Sequence, residues 1–268
     1  MPRLCEPRLS DVSAPDRHPS PVKVGSYTQS MTKGNINMPS NVNTAVELPV
    51  TDRLRELNER YRDLTVEQRF LEIYRDFSPD RVMLTSSFAA TSAFFLYLVS
   101  RVAPKQKVFF IDTGYHFKET LEYKARLTAL YGLKVVDVRP EEWKHEFTRK
   151  DETWKNDPDF CCSINKVEPL EAIKGNFDVW ISGLMSWQTE HRGTLEIFEE
   201  RGGIIKFYPL LDISKAERDA FIRDHDLPFH PLVAQGYSSI GCTHCTVPGQ
   251  DRDGRWNNCP KTECGLHL

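Results

Sequence analysis

The chain has 268 residues, of which 40% are hydrophobic and 27% charged, and its formal net charge is −3 at pH 7. This composition is typical of a globular protein with one or two domains, and the near-neutral charge argues against non-specific nucleic-acid binding. The best apolar run, AFFLYLV (93–99), is too short to cross a membrane, and the N-terminus lacks a secretory signal. We therefore expect a cytoplasmic protein, in which clustered cysteines serve metal binding or redox chemistry more often than disulfides, and the odd count of seven fits a disulfide framework poorly.

The predicted elements begin after a polar N-terminal segment. Residues 1–50 are rich in Pro, Ser, Asn and Thr and show no apolar period, which predicts a disordered leader that carries Cys5. Order is expected from about Thr51, and a helix follows in which Thr65 and Gln68 form a capping box. Strands are predicted over 81–87, 107–112, 133–138, 178–183 and 204–210, and helices over 90–102, 117–131 and 214–226, the last capped by Ser214.

Strands that alternate with helices predict an α/β fold with a mostly parallel sheet and helices on both faces. Ligands of such sheets bind beyond the carboxyl ends of the strands. This rule indicates three loops, TSSFAAT (85–91), DTGYHF (112–117) and SGLMSWQTEHR (182–192). TSSFAAT lacks the glycines and the lysine of a Walker loop, so it is either a plain capped helix start or an anion site built from backbone N–H groups and Ser hydroxyls.

Four cysteines in two pairs predict a metal centre. Cys161 and Cys162 are adjacent, whereas Cys242 and Cys245 have the two-residue spacing of paired metal ligands. Four thiolates suit Zn²⁺ or an iron–sulfur cluster, and the spacing alone leaves this choice open. The alternative is a buried adjacent pair together with an unrelated CxxC.

Basic residues cluster around these cysteines in the sequence. Lys166 follows Cys162 at helical spacing, Arg252 and Arg255 follow Cys245, and Arg192 ends the third loop. Each alone is typical of a solvated surface charge. Together they predict an anion pocket, because the forked donors of arginine match sulfate and phosphate oxygens.

The chain ends in KTECGLHL, where Cys264 lies four residues from the C-terminus. A thiol at a chain end is exposed and reactive. Together with TSSFAAT, IDTGYHF, CCSINKVEPL, HPLVAQGYSSIGCTHCT and GRW, the stretch KTECGLH resembles the assimilatory sulfonucleotide reductases over about residues 65–268. These enzymes reduce adenylyl sulfate (APS) or its 3′-phosphorylated form (PAPS).

The resemblance implies an adenine nucleotide alpha hydrolase-like (ATP pyrophosphatase-like) fold. It implies a nucleotide-binding and cluster-binding domain over 51–250 and a mobile C-terminal tail over 251–268, in which Cys264 is the catalytic nucleophile. It implies a [4Fe–4S] cluster held by Cys161, Cys162, Cys242 and Cys245. The substrate-binding residues that it implies are Ser86, Ser87, Phe88, Thr113, Gly114, Lys166, Arg192, Arg252, Arg255 and His267.

The resemblance also implies a reaction and a partner. Cys264 attacks the sulfur of the bound sulfate and becomes an S-sulfocysteine, and thioredoxin or glutaredoxin then releases sulfite. His267, with the basic residues named above, is a candidate for lowering the pKa of this thiol. No nucleic-acid or membrane partner is expected, and the sequence leaves the oligomeric state open between a monomer and a homo-oligomer.

The sequence features that bear on the choice between APS and PAPS disagree. The complete set of four cysteines favours APS, TSSFAAT is more similar to the PAPS-type loop, and Met185 and Ser186 stand where the family often has an arginine pair. We expect APS reduction, with PAPS reduction or dual specificity as the alternative. A non-enzymatic, zinc-binding nucleotide module is a second alternative, and an ATP pyrophosphatase would need a glycine-rich loop that TSSFAAT does not supply. Cys259 is either a spare thiol or a disulfide partner of Cys264.

Overall fold

The computed structural model describes residues 50–256, 261 and 263–266. Apart from Val50, the predicted leader lies outside these residues, and so do Cys5, Cys259 and His267. None of the helices in the described part of the chain is long and apolar enough to cross a membrane.

The elements alternate along the chain as predicted. The helices are α1 (Val50–Arg62), α2 (Val66–Asp76), α3 (Ser92–Val102), α4 (Lys118–Tyr131), α5 (Glu142–Lys150), α6 (Thr153–Asn156), α7 (Pro158–Cys162), α8 (Glu168–Lys174), α9 (Glu190–Gly193) and α10 (Lys215–Asp224). The strands are β1 (Val82–Thr85), β2 (Lys107–Ile111), β3 (Lys134–Val138), β4 (Val179–Ser182), β5 (Phe198–Arg201) and β6 (Ile204–Phe207). Short 3₁₀ turns lie at Pro79–Arg81, Ser186–Gln188, Pro231–Gln235 and Thr243–Cys245.

The six strands form one sheet in the order β3-β2-β1-β4-β6-β5. All neighbouring pairs are parallel except β5 and β6, which are antiparallel. The chain moves outward from β1 to β3 on one side and then returns to place β4 on the other side of β1. The strand order therefore reverses between β1 and β4, and an open α/β sheet binds its ligand beyond the strand ends at such a point.

Both faces of the sheet are covered, which confirms the predicted α/β class. On β1, Val82 and Leu84 point into the larger hydrophobic cluster, which includes residues of α1 to α4 and of α10. Met83, between them, points to the opposite face, where Trp180 of β4 and Leu170 of α8 form a smaller cluster. Since both faces are buried there, the central strands β1 and β4 are nearly continuous apolar runs rather than alternating ones.

Helix ends follow the polar residues of the sequence. Thr65 caps α2 through the predicted capping box, with the Gln68 amide N–H donating to Oγ1 of Thr65 at 3.3 Å. Ser214 caps α10 in the same way with Glu217. Gly132 ends α4 in the left-handed conformation (φ +63°), which a residue without a Cβ adopts without strain. Both predicted caps are confirmed.

A π-helical turn, Ser163–Val167, joins α7 to α8 without a break. Pro158 starts this composite helix at its first turn, and the Asp157 carboxylate accepts the Phe160 amide at 2.9 Å. A π-helical turn inserts one extra residue into a helix and is often found at functional sites. The turn contains Lys166, and Cys161 and Cys162 lie just before it.

Candidate active site

A cavity of about 240 Å³ lies beyond the carboxyl ends of β1 and β4, at the reversal of the strand order. Its walls include Ser86 and Ser87 after β1 and Ser182 and Gly183 at the end of β4, and Cys264 also lines it. Two of the three loops indicated by the sequence therefore build its walls. The third loop, DTGYHF, contributes mainly to a neighbouring site.

The TSSFAAT loop turns sharply after β1. Ser86 is buried, and its hydroxyl accepts the Phe88 amide at 3.2 Å. Phe88 has a positive φ of 48° and its side chain is fully buried, with its ring 5.6 Å from that of Phe110. Phe88, predicted to bind substrate, thus packs in the core and is not among the residues that line the cavity. Ser86 and Ser87, which precede Phe88, do line the cavity, and so do the residues that follow it.

The DTGYHF loop holds the GCTHC segment. The Thr243 amide donates to the Tyr115 carbonyl at 2.8 Å, and His116 forms a β-bridge with Cys242. Thr113 is buried with its hydroxyl 3.4 Å from the Cys242 sulfur, and Gly114 (φ +74°) approaches His145. Thr113, predicted to bind substrate, therefore lies beside Cys242, and neither it nor Gly114, also predicted to bind substrate, lines the first cavity.

The four cysteines of the predicted metal centre surround a second, smaller cavity. Cys161 and Cys162 come from α7, whereas Cys242 directly precedes, and Cys245 ends, the 3₁₀ turn that the DTGYHF loop holds. Thr113, Tyr115, Trp154, Asn165, Lys166 and His244 complete its lining. The structure therefore brings together two cysteine pairs that are about 80 residues apart in sequence.

Asn165 fixes the first cysteine pair from within the π-helical turn. Its side-chain amide donates to the Cys161 carbonyl at 3.0 Å and approaches the Cys161 sulfur at 3.7 Å. The other end of the site is closed by Trp154, which stacks on His244 with a ring separation of 4.0 Å. Burial raises the pKa of Cys161 to about 12 and that of Cys245 to about 11.

These four thiols are a donor set that could hold a metal ion or an iron–sulfur cluster. Within the described residues, no group of three or more His, Cys, Asp or Glu side chains is arranged to hold one metal ion. A [4Fe–4S] cluster is bulkier than one ion, so its four ligand sulfurs lie further apart around a common space. Four cysteine sulfurs around one enclosed cavity are the donor set that such clusters use.

The segment 246–256 carries two of the predicted cationic residues. The Val247 amide donates to the Gly254 carbonyl at 2.9 Å, and a Cβ on Gly254 would collide with the Val247 carbonyl oxygen. This close backbone approach requires glycine at position 254 and draws the two sides of the loop together. Arg252 and Arg255, both on this loop, line the first cavity. The Arg255 guanidinium lies 4.4 Å from the centre of the Trp256 ring.

Cys264 lies between cations at the wall of the first cavity. Burial opposes ionisation of its thiol, but Lys166, a backbone hydrogen bond from Leu266 and Arg255 outweigh it, so the pKa of Cys264 lies below its usual value. Conversely, burial would lower the pKa of Lys166, but Cys264 and the neighbouring cysteines raise it. A cysteine with a lowered pKa in a cavity is a candidate nucleophile.

Arg192 has a different environment from the one predicted. It is buried, and its guanidinium donates to both carboxylate oxygens of Glu263, at 2.7 and 2.9 Å. It also lines the first cavity and donates to Gln188. Arg192, predicted to bind substrate, is thus held by the residue that precedes Cys264.

Three buried polar atoms at the cavity have no hydrogen-bond partner among the described residues: the Ser182 hydroxyl, the Arg255 Nε and the Trp256 Nε1. Buried polar groups are normally paired, and those at a cavity wall are available to a polar ligand. The first lies at the end of β4, and the other two lie on the loop 246–256. An anion with several oxygens would therefore meet donors on both sides of the cavity.

Sequence reasoning assigned no role to four residues of this region. Ser182 and Glu263 lie inside the quoted motifs SGLMSWQTEHR and KTECGLH, and Asn165 lies in CCSINKVEPL. Lys206, on β6, donates from Nζ to the Leu266 carbonyl at 2.9 Å. A lysine at the centre of an otherwise apolar strand, IIKF, is the sequence signal that was available for it.

Comparison with known proteins decides the family. Residues 81–248 match the sequence model of the phosphoadenosine phosphosulfate reductase domain. The chain belongs to this family. It is 40% identical over 220 residues to an adenosine 5′-phosphosulfate reductase of Chelativorans sp. (strain BNC1), covering 80% of this chain and 90% of the relative. It is 36% identical over 225 residues to a phosphoadenosine 5′-phosphosulfate reductase of Gloeobacter violaceus, covering 80% and 93%.

One solved structure supports the same family, and a second concerns the fold. The crystal structure of a phosphoadenylyl-sulfate (PAPS) reductase from Candida auris in a phosphate complex matches with a TM-score of 0.64 and 26% identity, covering 75% of this chain and 98% of that one. An FMN adenylyltransferase from Candida glabrata matches with a TM-score of 0.50 at 16% identity, covering 76% and 70%, which concerns the fold alone. The family, the fold and the enzyme class predicted from the sequence are confirmed.

Proposed function

We propose that this reductase converts adenylyl sulfate to sulfite and AMP through a covalent intermediate on Cys264. The observation that carries the proposal is the position of the Cys264 thiol. It lines the cavity at the reversal of the strand order, where Lys166 and Arg255 lower its pKa. A thiolate beside cations suits attack on an anionic substrate that would otherwise repel it.

In the first step, the Cys264 thiolate forms a bond to the sulfur of the sulfate group. The bond between that sulfur and the oxygen bridging it to the phosphate breaks, and AMP leaves with the electron pair. Lys166, Arg252 and Arg255 are suited to hold the sulfate oxygens, because all three line the same cavity. The product is an S-sulfocysteine on Cys264.

In the second step, a dithiol reductant supplies two electrons. One of its thiolates attacks the Cys264 sulfur and displaces sulfite, and its second thiol then resolves the mixed disulfide and regenerates Cys264. Thioredoxin, with a potential of about −270 mV, or a glutaredoxin is the proposed donor. Both donors act in reducing compartments, in agreement with the proposed cytoplasmic location.

The proposed cofactor is a [4Fe–4S] cluster on Cys161, Cys162, Cys242 and Cys245. When bound it would cross-link α7 to the GCTHC segment and add charge beside the substrate cavity. Lys166 lines both cavities, so it is the residue through which this charge would act on the first cavity. The two electrons of the reaction come from the dithiol, so no electron needs to pass through the cofactor.

The cofactor proposal has its own test. Anaerobically purified protein is expected to be brown and to contain iron and sulfide, and Cys161→Ser and Cys245→Ser are expected to lose both. A colourless protein that contains zinc would contradict the proposal. A cofactor that changes oxidation state at the catalytic rate in freeze-quench EPR would contradict its assigned electrostatic role.

We propose APS as the preferred nucleotide. The support is the complete set of four cysteines and the name of the relatives from Chelativorans sp. and Mesorhizobium japonicum, both 40% identical to this chain. PAPS reduction is the second candidate, and the relative from Gloeobacter violaceus supports it. Sulfite release from equal concentrations of APS and PAPS, with thioredoxin present, distinguishes the two.

The covalent step is tested without a reductant. Wild-type protein mixed with APS is expected to gain one SO₃ group on the C-terminal peptide, located at Cys264 by fragmentation. Thioredoxin should then release one sulfite per chain. Cys264→Ser should keep its iron and its nucleotide affinity but form no adduct, whereas Cys259→Ser should form it normally. An adduct on Cys259, or sulfite release by Cys264→Ser, would overturn the mechanism.

A further inference from the structure

The segment around Cys264 is held on both sides by residues from other elements. Before it, the Glu263 carboxylate is bound by Arg192 of α9 and, at 3.2 Å, by Arg252 of the loop 246–256. After it, the Leu266 carbonyl accepts from Lys206 of β6 at 2.9 Å. Cys264 therefore lies between two fixed points that are three residues apart.

The contact at Glu263 is a buried one. The Glu263 side chain is 0% exposed and that of Arg192 7% exposed. The Thr189 hydroxyl also donates to the Glu263 carboxylate, at 3.0 Å. A carboxylate is removed from water only when charged and polar partners replace its hydration, and a two-point arginine contact also fixes its orientation. Since adjacent Cα atoms are about 3.8 Å apart, fixing Glu263 restricts where Cys264 can lie.

The contacts after Cys264 are partly apolar. Leu266 packs against the cluster of Trp180 and Leu170 on the second face of the sheet. Lys206, which donates to the Leu266 carbonyl, is 5% exposed and lies 4.9 Å from the centre of the Trp180 ring. A cation in that position is costly in free energy unless it serves a specific contact. The Lys206 Nζ donates to a backbone acceptor of the tail, the Leu266 carbonyl.

Activation of the thiol does not explain Glu263. Its negative charge raises the pKa of Cys264, against the effects of Lys166 and Arg255. Arg192 and Arg252 bind the Glu263 carboxylate, whereas Lys166 and Arg255 lower the pKa of the thiol. A carboxylate that opposes thiolate formation and is nevertheless completely buried next to the nucleophile is suited to placing it.

We propose that Glu263 and Lys206 are positioning residues that clamp the tail on both sides of Cys264 and thereby hold its thiol in the cavity for attack on the sulfonucleotide. This role rests on the proposed covalent function. The clamp serves the first step alone. In the second step the reductant must reach the Cys264 sulfur, and holding the tail inside the cavity does not assist that step.

The test separates the two steps in single-turnover reactions. In the first, enzyme and APS are mixed without reductant, and the adduct on the C-terminal peptide is measured over time. In the second, reductant is added to adduct that has already formed, and sulfite is measured. The variants are Glu263→Gln and Lys206→Met. The matched controls are Asp212→Asn, which breaks the pair with buried Arg69, and Lys174→Met, which removes a neighbouring lysine paired with Glu171.

Adduct formation is expected to slow by roughly 10- to 100-fold in Glu263→Gln and in Lys206→Met, because a displaced nucleophile loses its alignment. Sulfite release from the formed adduct should keep its wild-type rate in both variants. Amide hydrogen exchange of the C-terminal peptide should become faster in both. Asp212→Asn and Lys174→Met should match the wild type in all three measurements. Glu263→Asp, which keeps the charge, should restore part of the first-step rate.

Other outcomes overturn the clamp. A purely structural role for Glu263 would slow both steps together, and wild-type adduct formation in Glu263→Gln and Lys206→Met would show that neither residue positions the thiol. If Glu263→Gln does not fold, Lys206→Met decides alone, because loss of a buried cation does not leave a charge unpaired. If the wild type forms no adduct, the proposed covalent function is wrong, and the clamp proposal is wrong as well. If the wild type forms the adduct and both variants form it at the wild-type rate, only the clamp proposal is refuted.

Discussion

Replacement of Lys206 by methionine should stabilise the fold. Burial, followed by repulsion from Arg201, lowers the pKa of Lys206 from 10.5 to about 8. Below pH 8 the lysine is charged in both the folded and the unfolded chain, so the folded state bears the full cost of burying the charge. Since one pKa unit corresponds to about 1.4 kcal/mol, this cost is about 3 kcal/mol.

The sign of the pH dependence follows from the lowered pKa. Between about pH 8 and pH 10.5 the folded chain releases this proton while the unfolded chain keeps it, so the stability of the wild type rises with pH in this window. Above pH 10.5 the group is neutral in both states and the cost disappears. The advantage of Lys206→Met should therefore be largest at pH 7 and smallest near pH 10.5.

The expected gain at pH 7 is about 2 kcal/mol, since methionine also removes the hydrogen bond to the Leu266 carbonyl, which contributes about 1 kcal/mol. The melting temperature should rise by roughly 4–8 °C. Scanning fluorimetry of the purified variant and wild type at pH 7 and pH 10, at one scan rate, measures the difference in melting temperature. A variant that melts below the wild type at pH 7, or a difference that does not change with pH, would refute the reasoning.

Three further substitutions test the site and the fold. Arg255→Ala should weaken nucleotide binding and slow adduct formation by more than about tenfold, since it removes a charge-assisted contact; wild-type rates would show that Arg255 does not serve the sulfate. Gly254→Ala should lower the melting temperature and nucleotide affinity together, because its Cβ collides with the Val247 carbonyl; unchanged affinity would disprove the role of this loop geometry. Thr65→Ala, which removes the cap shared with Gln68, should cost about 1 kcal/mol of stability and leave adduct formation unchanged, and a slower adduct would contradict this separation.

The elements that sequence reasoning found are those in which local chemistry and tertiary packing agree. β1 and β4 are apolar on both faces and are flanked by turn residues, so their patterns identify them without the fold. The strand β5, FEER, was not predicted, because three of its four residues are charged and it pairs only at the antiparallel edge of the sheet. No residue pattern in the sequence predicts the π-helical turn at Ser163–Val167. Its extra residue could equally belong to α7 or to α8.

Sequence reasoning predicted which residues form the site better than it predicted how they are arranged. The cysteines, Lys166 and Cys264 were identified from motifs, and the structure brings them together around two adjoining cavities. The family resemblance placed Phe88 among the binding residues, whereas its positive φ turns the side chain into the core. The role of Glu263 depends on Arg192, 71 residues earlier, and no local pattern predicts a contact at that separation.

The π-helical turn has a consequence for how this protein can be altered by insertions and deletions. Removing one residue from Ser163–Val167 would convert α7 and α8 into a single regular α-helix, and each residue in such a helix turns it by about 100°. Cys161 and Leu170, on either side of the turn, could then no longer face the four-cysteine cavity and the sheet at the same time. A deletion that makes the helix regular would therefore keep either the position of Cys161 at the cavity or the packing of Leu170 on the sheet, but not both. The length of the segment Ser163–Val167 is thus a requirement of the cysteine site and of the fold together.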